Sequence, residues 1–503
     1  MNFETRTGPD LGDAAPEYPE TPVPEWYRDA KLGFFVHWGL YSVPAWAPAH
    51  PPGGVPTEDA YAHHQYAEWY ANTVRIAGSP TWRRHQELYG TGTSYEDLAD
   101  QWNPGGFDAD TFVGALVDAG ARYVVPTTKH HDGFCLWDTA TTSFSAARRG
   151  PRRDLIAELH DATRRAGTRF GVYFSGALDW HVSDYPPIES DTDLFRFRRA
   201  DEWFSRYAAA QLDELVDRFR PDLLWNDIEW PDGGKGQQDY AVAALLRRYL
   251  AAVPDGAVND RWGVPRHGFL TREYTHVADI VAEPWESTRG LGYSFGYNQV
   301  EDASHSLSGD ALIRLLADVV SKNGNLLINV GPRADGSIPE LQQRAMRELG
   351  AWLRRDGDAI YATRPWVRAY EETGAPRAYT AAEGVVNVIA LDPASGEFDL
   401  PEELAGRPAR WADGTEAALE RAPDGRVYAT VPDAFRTEPA VALPVELWSP
   451  RSWRSECRAP RVVARRSRPA PIDSSCARRS SSAVSPRRSG RSRPCATRSG
   501  PRR

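Results

Sequence analysis

Seven short apolar runs in the first two-thirds of this 503-residue chain each stop abruptly at polar side chains. In order they are LGFFVHWG (Leu32–Gly39), RYVVPTTKHH (Arg122–His131), FGVYFSG (Phe170–Gly176), DLLWND (Asp222–Asp227), GAVNDRW (Gly256–Trp262), DIVAEPWE (Asp279–Glu286) and NLLINVGP (Asn325–Pro332). Apolar runs without alternation suit strands buried on both faces, as in a parallel sheet. Helix-patterned stretches lie between them: Asp108–Gly120, Arg152–Gly167, Phe204–Phe219, Gln238–Ala252, Ser308–Gly324 and Pro339–Gly357. Several open on Asp, Ser or Pro and close on Gly, which is cap chemistry. Alternating strands and helices, with reactive side chains just past the strands' carboxyl ends, predict a (β/α)8-like TIM barrel with its site at the top. Ala359–Ala362 is expected to supply the eighth strand. The stretch from Tyr41 to Tyr95, rich in Trp, His and Tyr, reads as an insertion that covers a substrate.

The chain divides by texture. Residues 1–24 are acidic and Pro-rich and read as a disordered leader, residues 25–362 as the barrel. Residues 365–448 carry short alternating runs (VVNVIAL, EFDLP, GRVYATV, AVALPVELW) between Gly, Pro and Asp turns, the pattern of a small antiparallel β-sandwich. Residues 449–503 are Arg/Ser/Pro repeats too poor in apolar residues to order themselves, and read as disordered or frame-shifted sequence.

Charge narrows the partners. The net charge is −10, but the segment beyond Pro450 holds 16 Arg against Glu456 and Asp473. That segment is therefore near +14 and the rest near −24. An acidic body does not suit nucleic acid, whose phosphates need a basic face. No run approaches the roughly 18 apolar residues of a membrane span, so no membrane partner is expected. Without an apolar leader, a cytoplasmic location is the expectation. Only Cys135 lies before the tail, which leaves no disulfide framework there. Eighteen Trp are many for this length, and Trp46, Trp69, Trp82, Trp137, Trp180, Trp225, Trp230 and Trp285 fall in loops or at strand ends. Such flat apolar surfaces stack on sugar rings, so carbohydrate is the expected ligand class.

Asp227 ends a predicted strand, with Trp225 beside it and Arg261 one strand further on. A nearby cation holds a carboxylate ionised, as a nucleophile requires. Cleaving a glycosidic bond takes a second carboxyl group as proton donor. Glu273, Glu229, Glu283 and Glu286 are all candidates, the last two as the end of the next strand, and spacing alone does not choose among them. His130 and His131 are adjacent, and in an extended chain they would point to opposite sides. No metal-ligand spacing surrounds them. Together with His37 they suit hydrogen bonds to vicinal sugar hydroxyls better than a metal. His63, His64, His160 and His305 read as ordinary core histidines.

The blocks FFVHWGLYSVPAW, YVVPTTKHHDGFCLWDT, GVYFSGALDWH, LLWNDIEWP, VNDRWGVP, WESTRGLGYSFGYN and NGNLLINVGPRADGSIP, taken in order, resemble the retaining α-L-fucosidases of glycoside hydrolase family 29. The resemblance runs from about Trp26 to Trp366, and no counterpart covers the tail. It implies the barrel followed by the sandwich, a fucosylated oligosaccharide or glycoconjugate as substrate, and no cofactor or metal. By matching position Asp227 resembles the family's nucleophile and Glu273, twelve residues after Arg261, the acid/base. His37, Glu68, Trp69, His130 and His131 resemble residues that bind fucose hydroxyls, while Tyr173 and Arg261 resemble those flanking the nucleophile. Trp225 joins them as a substrate-binding residue. The implied reaction is hydrolysis by double displacement through a fucosyl-enzyme, with the carboxyl groups roughly 5–5.5 Å apart. A transfucosidase using the same intermediate and a non-catalytic fucose-binding barrel are the alternatives. An apolar wall for the C5 methyl of fucose, worth roughly 1–3 kcal/mol in discrimination, is expected from Trp225, Trp285 and Phe295.

Overall fold

Every residue of Leu32–Val36 and of Tyr123–Lys129 is buried, as their unbroken apolar character requires. The computed structural model describes residues 16–265, 267–372 and 374–447. Both segments belong to an eight-stranded parallel sheet: β1 (Leu32–Val36), β2 (Tyr123–Lys129), β3 (Arg169–Ser175), β4 (Leu223–Asp227), β5 (Ala257–Val258), β6 (Leu270–Glu273), β7 (Trp285–Gly290) and β8 (Gly324–Val330). From β1 the sheet runs one way through β2, β3 and β4 to β5, and the other way through β8 and β7 to β6. The two ends meet at a narrow seam. A single parallel bridge joins Asn259 to Phe269, and the amides of Gly268 and Phe269 both donate to the carbonyl of Val258. The curled sheet is the predicted TIM-type barrel.

Alternate strand residues point to opposite faces, and the two sets build two cores. Phe34, Val36, Val124, Val172, Leu224, Leu326 and Ile328 pack outward with the helices. Phe35, Tyr123, Val125, Tyr173, Leu223, Trp225 and Leu327 fill the interior with Tyr27 and Phe269. A Cβ on Gly33 would stand 2.3 Å from the Tyr123 ring, so glycine at that position is what lets the tyrosine lie across the barrel floor.

Six connector helices match the helical stretches of the sequence: Ala109–Asp118, Leu155–Arg165, Glu202–Phe219, Val242–Ala252, Gly309–Ser321 and Glu340–Asp356. Asp108, Asp154, Asp201 and Ser308 each cap a helix by accepting from a backbone amide of its first turn. Among the described residues no helix follows β5 or β6.

Two strand expectations are corrected. The eighth strand is β6, not Ala359–Ala362. Gly357–Ala359 is a 3-10 turn and Ala362 has φ 55°, where the chain leaves the last helix. Both neighbours of β1 are already taken by β2 and β8, so no free edge awaits that segment. Likewise, residues 279–284 make no ladder, and the strand begins at Trp285, after Pro284. Glu286 therefore sits at the start of β7 near the barrel floor rather than at the mouth.

Beyond the barrel, β9 (Arg364–Glu371), β10 (Arg377–Ala382), β11 (Val385–Ala390), β12 (Glu397–Leu400), β13 (Leu419–Arg421), β14 (Val427–Thr430) and β15 (Val441–Glu446) form two antiparallel sheets. Four strands make one sheet and three the other, and they share a core that includes Trp366, Val388, Phe398, Trp411 and Leu443. Ala378, Ile389, Leu391, Ala440 and Ala442 belong instead to the core of the barrel helices. Arg355 donates to the carbonyl of Ala440, and Thr380 Oγ1 to that of Ala359. Residues 16–24, read as part of a leader, have no regular structure yet lie against the barrel. Tyr18 Oη donates to the carbonyl of Lys235, and Arg247 to that of Glu17. The leader up to residue 15 and the tail from 449 lie outside the described residues.

Candidate active site

Strand ends and the Tyr41–Tyr95 insertion together line a cavity at the carboxyl-terminal mouth of the barrel. His37 comes from the end of β1, His130 and His131 from β2, Tyr173 from β3, Trp225 and Asp227 from β4, and Arg261 and Glu273 from the two sides of the seam. The insertion supplies His64, Tyr66, Glu68 and Trp69. All ten residues singled out as catalytic or substrate-binding from the sequence converge here: Asp227, Glu273, His37, Glu68, Trp69, His130, His131, Tyr173, Trp225 and Arg261.

Asp227 is held from three directions. Tyr173 Oη donates to its Oδ2 at 2.8 Å, while Arg261 Nη1 at 3.0 Å and the amide of Ile228 at 2.9 Å donate to its Oδ1. The other terminal nitrogen of Arg261 donates to Glu273 Oε2 at 3.0 Å, and Tyr66 Oη donates to Glu273 Oε1 at 3.1 Å. One guanidinium thus bridges the two carboxyl groups. It lies over the Trp225 ring, 4.7 Å from the centroid, a cation–π contact. Its carboxylate neighbours offset the burial that would otherwise destabilise the charge, and push its pKa above the usual value.

Local sequence explains how Arg261 is aimed. In the Asn-Asp-Arg turn after β5, Asn259 exchanges hydrogen bonds with the backbone of Asn226, and Asn226 Nδ2 donates to the carbonyl of Arg261. Asp260 accepts from the amide and hydroxyl of Thr271 on β6, and that hydroxyl accepts from Arg261 Nε at 2.9 Å. Directly after the two carboxyl residues the backbone turns left-handed: Ile228 has φ 56°, Glu229 φ 61° and Tyr274 φ 47°. Non-glycine residues rarely adopt this conformation, at about 1–2 kcal/mol each, and such strain concentrates at functional sites.

The histidines are neutral. Burial lowers the pKa of His37 to about 4 and those of His130 and His131 well below the ordinary value. Asn329 Nδ2 donates to the carbonyl of Phe295, so its Oδ1 faces His37 and accepts both the His37 amide and Nδ1–H, the latter at 2.7 Å. His37 Nε2 is then left as an acceptor. Ser175 gives its proton to the carbonyl of Leu178 and so accepts from His131 Nδ1 at 2.7 Å. His131 Nε2, 3.7 Å from Asp227 Oδ2, is likewise an acceptor. Contrary to the expectation for an extended pair, both His130 and His131 line the cavity, with ring centroids 4.0 Å apart. β2 ends at Lys129, so the two rings lie beyond its pleat.

Glu68 is buried, accepts from the amide of Gly296 and from Ser294 Oγ, and is pushed up to about 7 by burial. Of the expected apolar wall, Trp225 and Phe295 line the cavity, joined by Phe35 and Ile228. Trp285 does not. Its Nε1 donates to the carbonyl of Lys322 and its ring packs against Gly324. The alternative carboxyl groups are elsewhere as well. Glu229 pairs with Lys235 at 2.9 Å and Arg198 at 3.6 Å, Glu283 is exposed, and Glu286 is buried beneath Trp225. His64, Tyr66, Ile228 and Thr288 line the cavity without having been picked from the sequence. Tyr66 lies two residues before Glu68, in a segment already marked for its aromatic content, whereas nothing in the spacing of His64 set it apart.

A family model described as alpha-L-fucosidase matches residues 13–358. The chain belongs to that family. This α-L-fucosidase-family glycoside hydrolase is 31% identical over 395 residues to the tissue alpha-L-fucosidase of Rattus norvegicus, covering 76% of this chain and 80% of the relative. It is 30% identical over 354 residues to the alpha-L-fucosidase of Dictyostelium discoideum, covering 69% and 73%. Among solved structures, the Thermotoga maritima alpha-fucosidase in complex with fucose is 42% identical with a TM-score of 0.76, covering 84% of this chain and 97% of that one. The Paenibacillus thiaminolyticus isoenzyme 1 is 28% identical with a TM-score of 0.69, covering 84% and 98%.

Proposed function

We propose that this enzyme hydrolyses terminal α-L-fucosides with retention, through a covalent fucosyl-enzyme on Asp227. One observation carries the reading: Asp227 and Glu273 stand on the two terminal nitrogens of Arg261, at the mouth of one cavity. In the first step Asp227 attacks the anomeric carbon as the glycosidic C–O bond breaks, and Glu273 gives its proton to the departing oxygen. In the second, Glu273 removes a proton from water. The water oxygen bonds to the anomeric carbon, and the ester to Asp227 breaks. Arg261, hydrogen-bonded to both carboxyl groups, holds Glu273 beside the reacting carbon in both steps. Tyr173, hydrogen-bonded to Asp227 Oδ2, orients the nucleophile.

The ligand class has support of its own. Three buried polar atoms on residues lining the cavity lack a partner among the described residues: His64 Nε2, His130 Nδ1 and Thr288 Oγ1. With Phe35, Trp225 and Phe295 as apolar surface, this suits a polyhydroxylated ring bearing a methyl group. The Thermotoga maritima relative has been solved with fucose and with a mechanism-based inhibitor.

The test is Asp227→Gly with an aryl α-L-fucoside. Turnover should fall by several orders of magnitude, because the covalent route is lost. Azide should restore it and yield a fucosyl azide inverted at the anomeric carbon. Rescue of a different carboxylate variant, with none at Asp227, would move the nucleophile elsewhere.

A further inference from the structure

His64 is buried on the insertion side of the cavity, its ring stacked on Trp69 with centroids 4.6 Å apart and planes at 17°. Its Nδ1 accepts the backbone amide of Tyr66 at 3.2 Å. A nitrogen that accepts carries no proton, so in the neutral ring the proton sits on Nε2. The ring is neutral, because burial lowers its pKa to about 3. His64 Nε2–H is consequently a fixed donor, and it has no acceptor among the described residues. Buried donors without a partner are uncommon and call for an explanation.

The other histidines of the cavity sharpen the point. His37 and His131 each spend their Nδ1 proton on the protein and present a bare Nε2. Each sugar hydroxyl can donate one hydrogen bond and still accept others. Hydroxyl oxygens need donors as well as acceptors, and the Nε2 atoms of His37 and His131 can only accept. His64, a lining residue of the same cavity, carries the opposite polarity at its Nε2, on a ring that Trp69 and the Tyr66 amide hold in place.

We infer that His64 is a specificity-determining residue whose Nε2–H donates to a ring hydroxyl of the bound sugar, completing the set of polar contacts on the Trp69 side. The choice of L-fucose as that sugar rests on the fucosidase reading above. The assignment of a donor at Nε2 rests on the local hydrogen bonding alone.

The test uses the full-length chain and calorimetric binding of L-fucose and of its 2-, 3- and 4-deoxy analogues, so it needs no turnover. His64→Phe keeps a flat ring against Trp69 and removes the donor, and should weaken L-fucose about ten-fold. The loss should vanish for one deoxy analogue, which wild type and variant would bind equally, because that analogue lacks the accepting oxygen. His64→Gln, which restores an amide donor, should recover most of the affinity. Unchanged fucose binding by His64→Phe, or an equal loss for fucose and all three analogues, would overturn the role. Fucose bound as described without aryl fucoside turnover would instead count against the catalytic reading and leave the donor assignment standing.

Discussion

Glu286 accepts hydrogen bonds from Tyr27 Oη at 2.8 Å, Tyr123 Oη at 2.6 Å and Trp225 Nε1 at 2.9 Å, and is still pushed up from 4.5 to about 7. Desolvation on the barrel floor outweighs three donors and the attraction of Arg261. Between about pH 4.5 and 7 the folded chain holds a proton that the unfolded chain has released. Stability should therefore fall as pH rises through that window and stay reduced above it. Glu68, raised in the same way, adds to the same slope. Glu286→Gln, which cannot ionise, should flatten the decline in urea midpoint between pH 4.5 and 7. Equal slopes for wild type and variant would remove Glu286 as a source. The sequence marked Glu286 as a possible proton donor because it followed an apolar run. What it could not show was the strand register, which places the residue below Trp225. Asp227 was legible for the complementary reason: its strand is apolar through Trp225 and stops at Asn226 and Asp227, so the carboxylate's position at the mouth follows from the run itself. His64 left no trace in the sequence. Its significance lies in which of two nitrogens carries a proton, and that is decided by the backbone amide of Tyr66.

At the scale of elements, strands rich in branched aliphatic residues were found and polar or small-residue strands were missed. β6 is the sequence LTRE, only partly buried and paired over four residues with β7. β10 is RAYTAA, whose small side chains resemble a loop although nearly all are buried. The cost of overlooking β6 was mechanistic, since it carries Glu273 and the threonine that steadies Arg261. Thr271 Oγ1 accepts from Arg261 Nε and donates to Asp260, tying the turn after β5 to the neighbouring strand. Thr271→Val keeps the shape and removes both bonds. Arg261 would then lose the partner of its Nε, and kcat should fall about ten- to hundred-fold with KM changed far less. The expected loss of stability is only about 1 kcal/mol. Steady-state kinetics beside a denaturant titration would check both. A fall in activity matched by a comparable collapse in stability would instead mark Thr271 as a folding residue.

For the whole molecule, texture was legible where composition changes. The shift from unbroken to alternating apolar runs marked the passage from barrel strands to antiparallel sheets. The way those sheets lie on the last barrel helices was not, because Ala378, Ala440 and Ala442 bury small faces that no periodicity announces. Closure of the barrel was equally hidden. Its backbone share is one bridge and two amides on the carbonyl of Val258, joined by the side-chain bonds of Asp260 and Arg261 to β6, with no covering helix after β5 or β6 among the described residues. Regions with few buried contacts open at lower free energy than the rest of a fold. Amides of residues 257–273 should therefore exchange hydrogen for deuterium faster than those of β2, β3 and β8 when followed by mass spectrometry. Comparable protection all round the ring would show the join to be as firm as any other.

That join runs between Arg261 and Glu273, so whatever parts its lips also pulls Glu273 away from Asp227. A sugar lying across both lips would act as a clasp. Occupancy should quiet the breathing of this one sector and leave the opposite side of the cylinder untouched, making the enzyme most completely assembled when its substrate is in place.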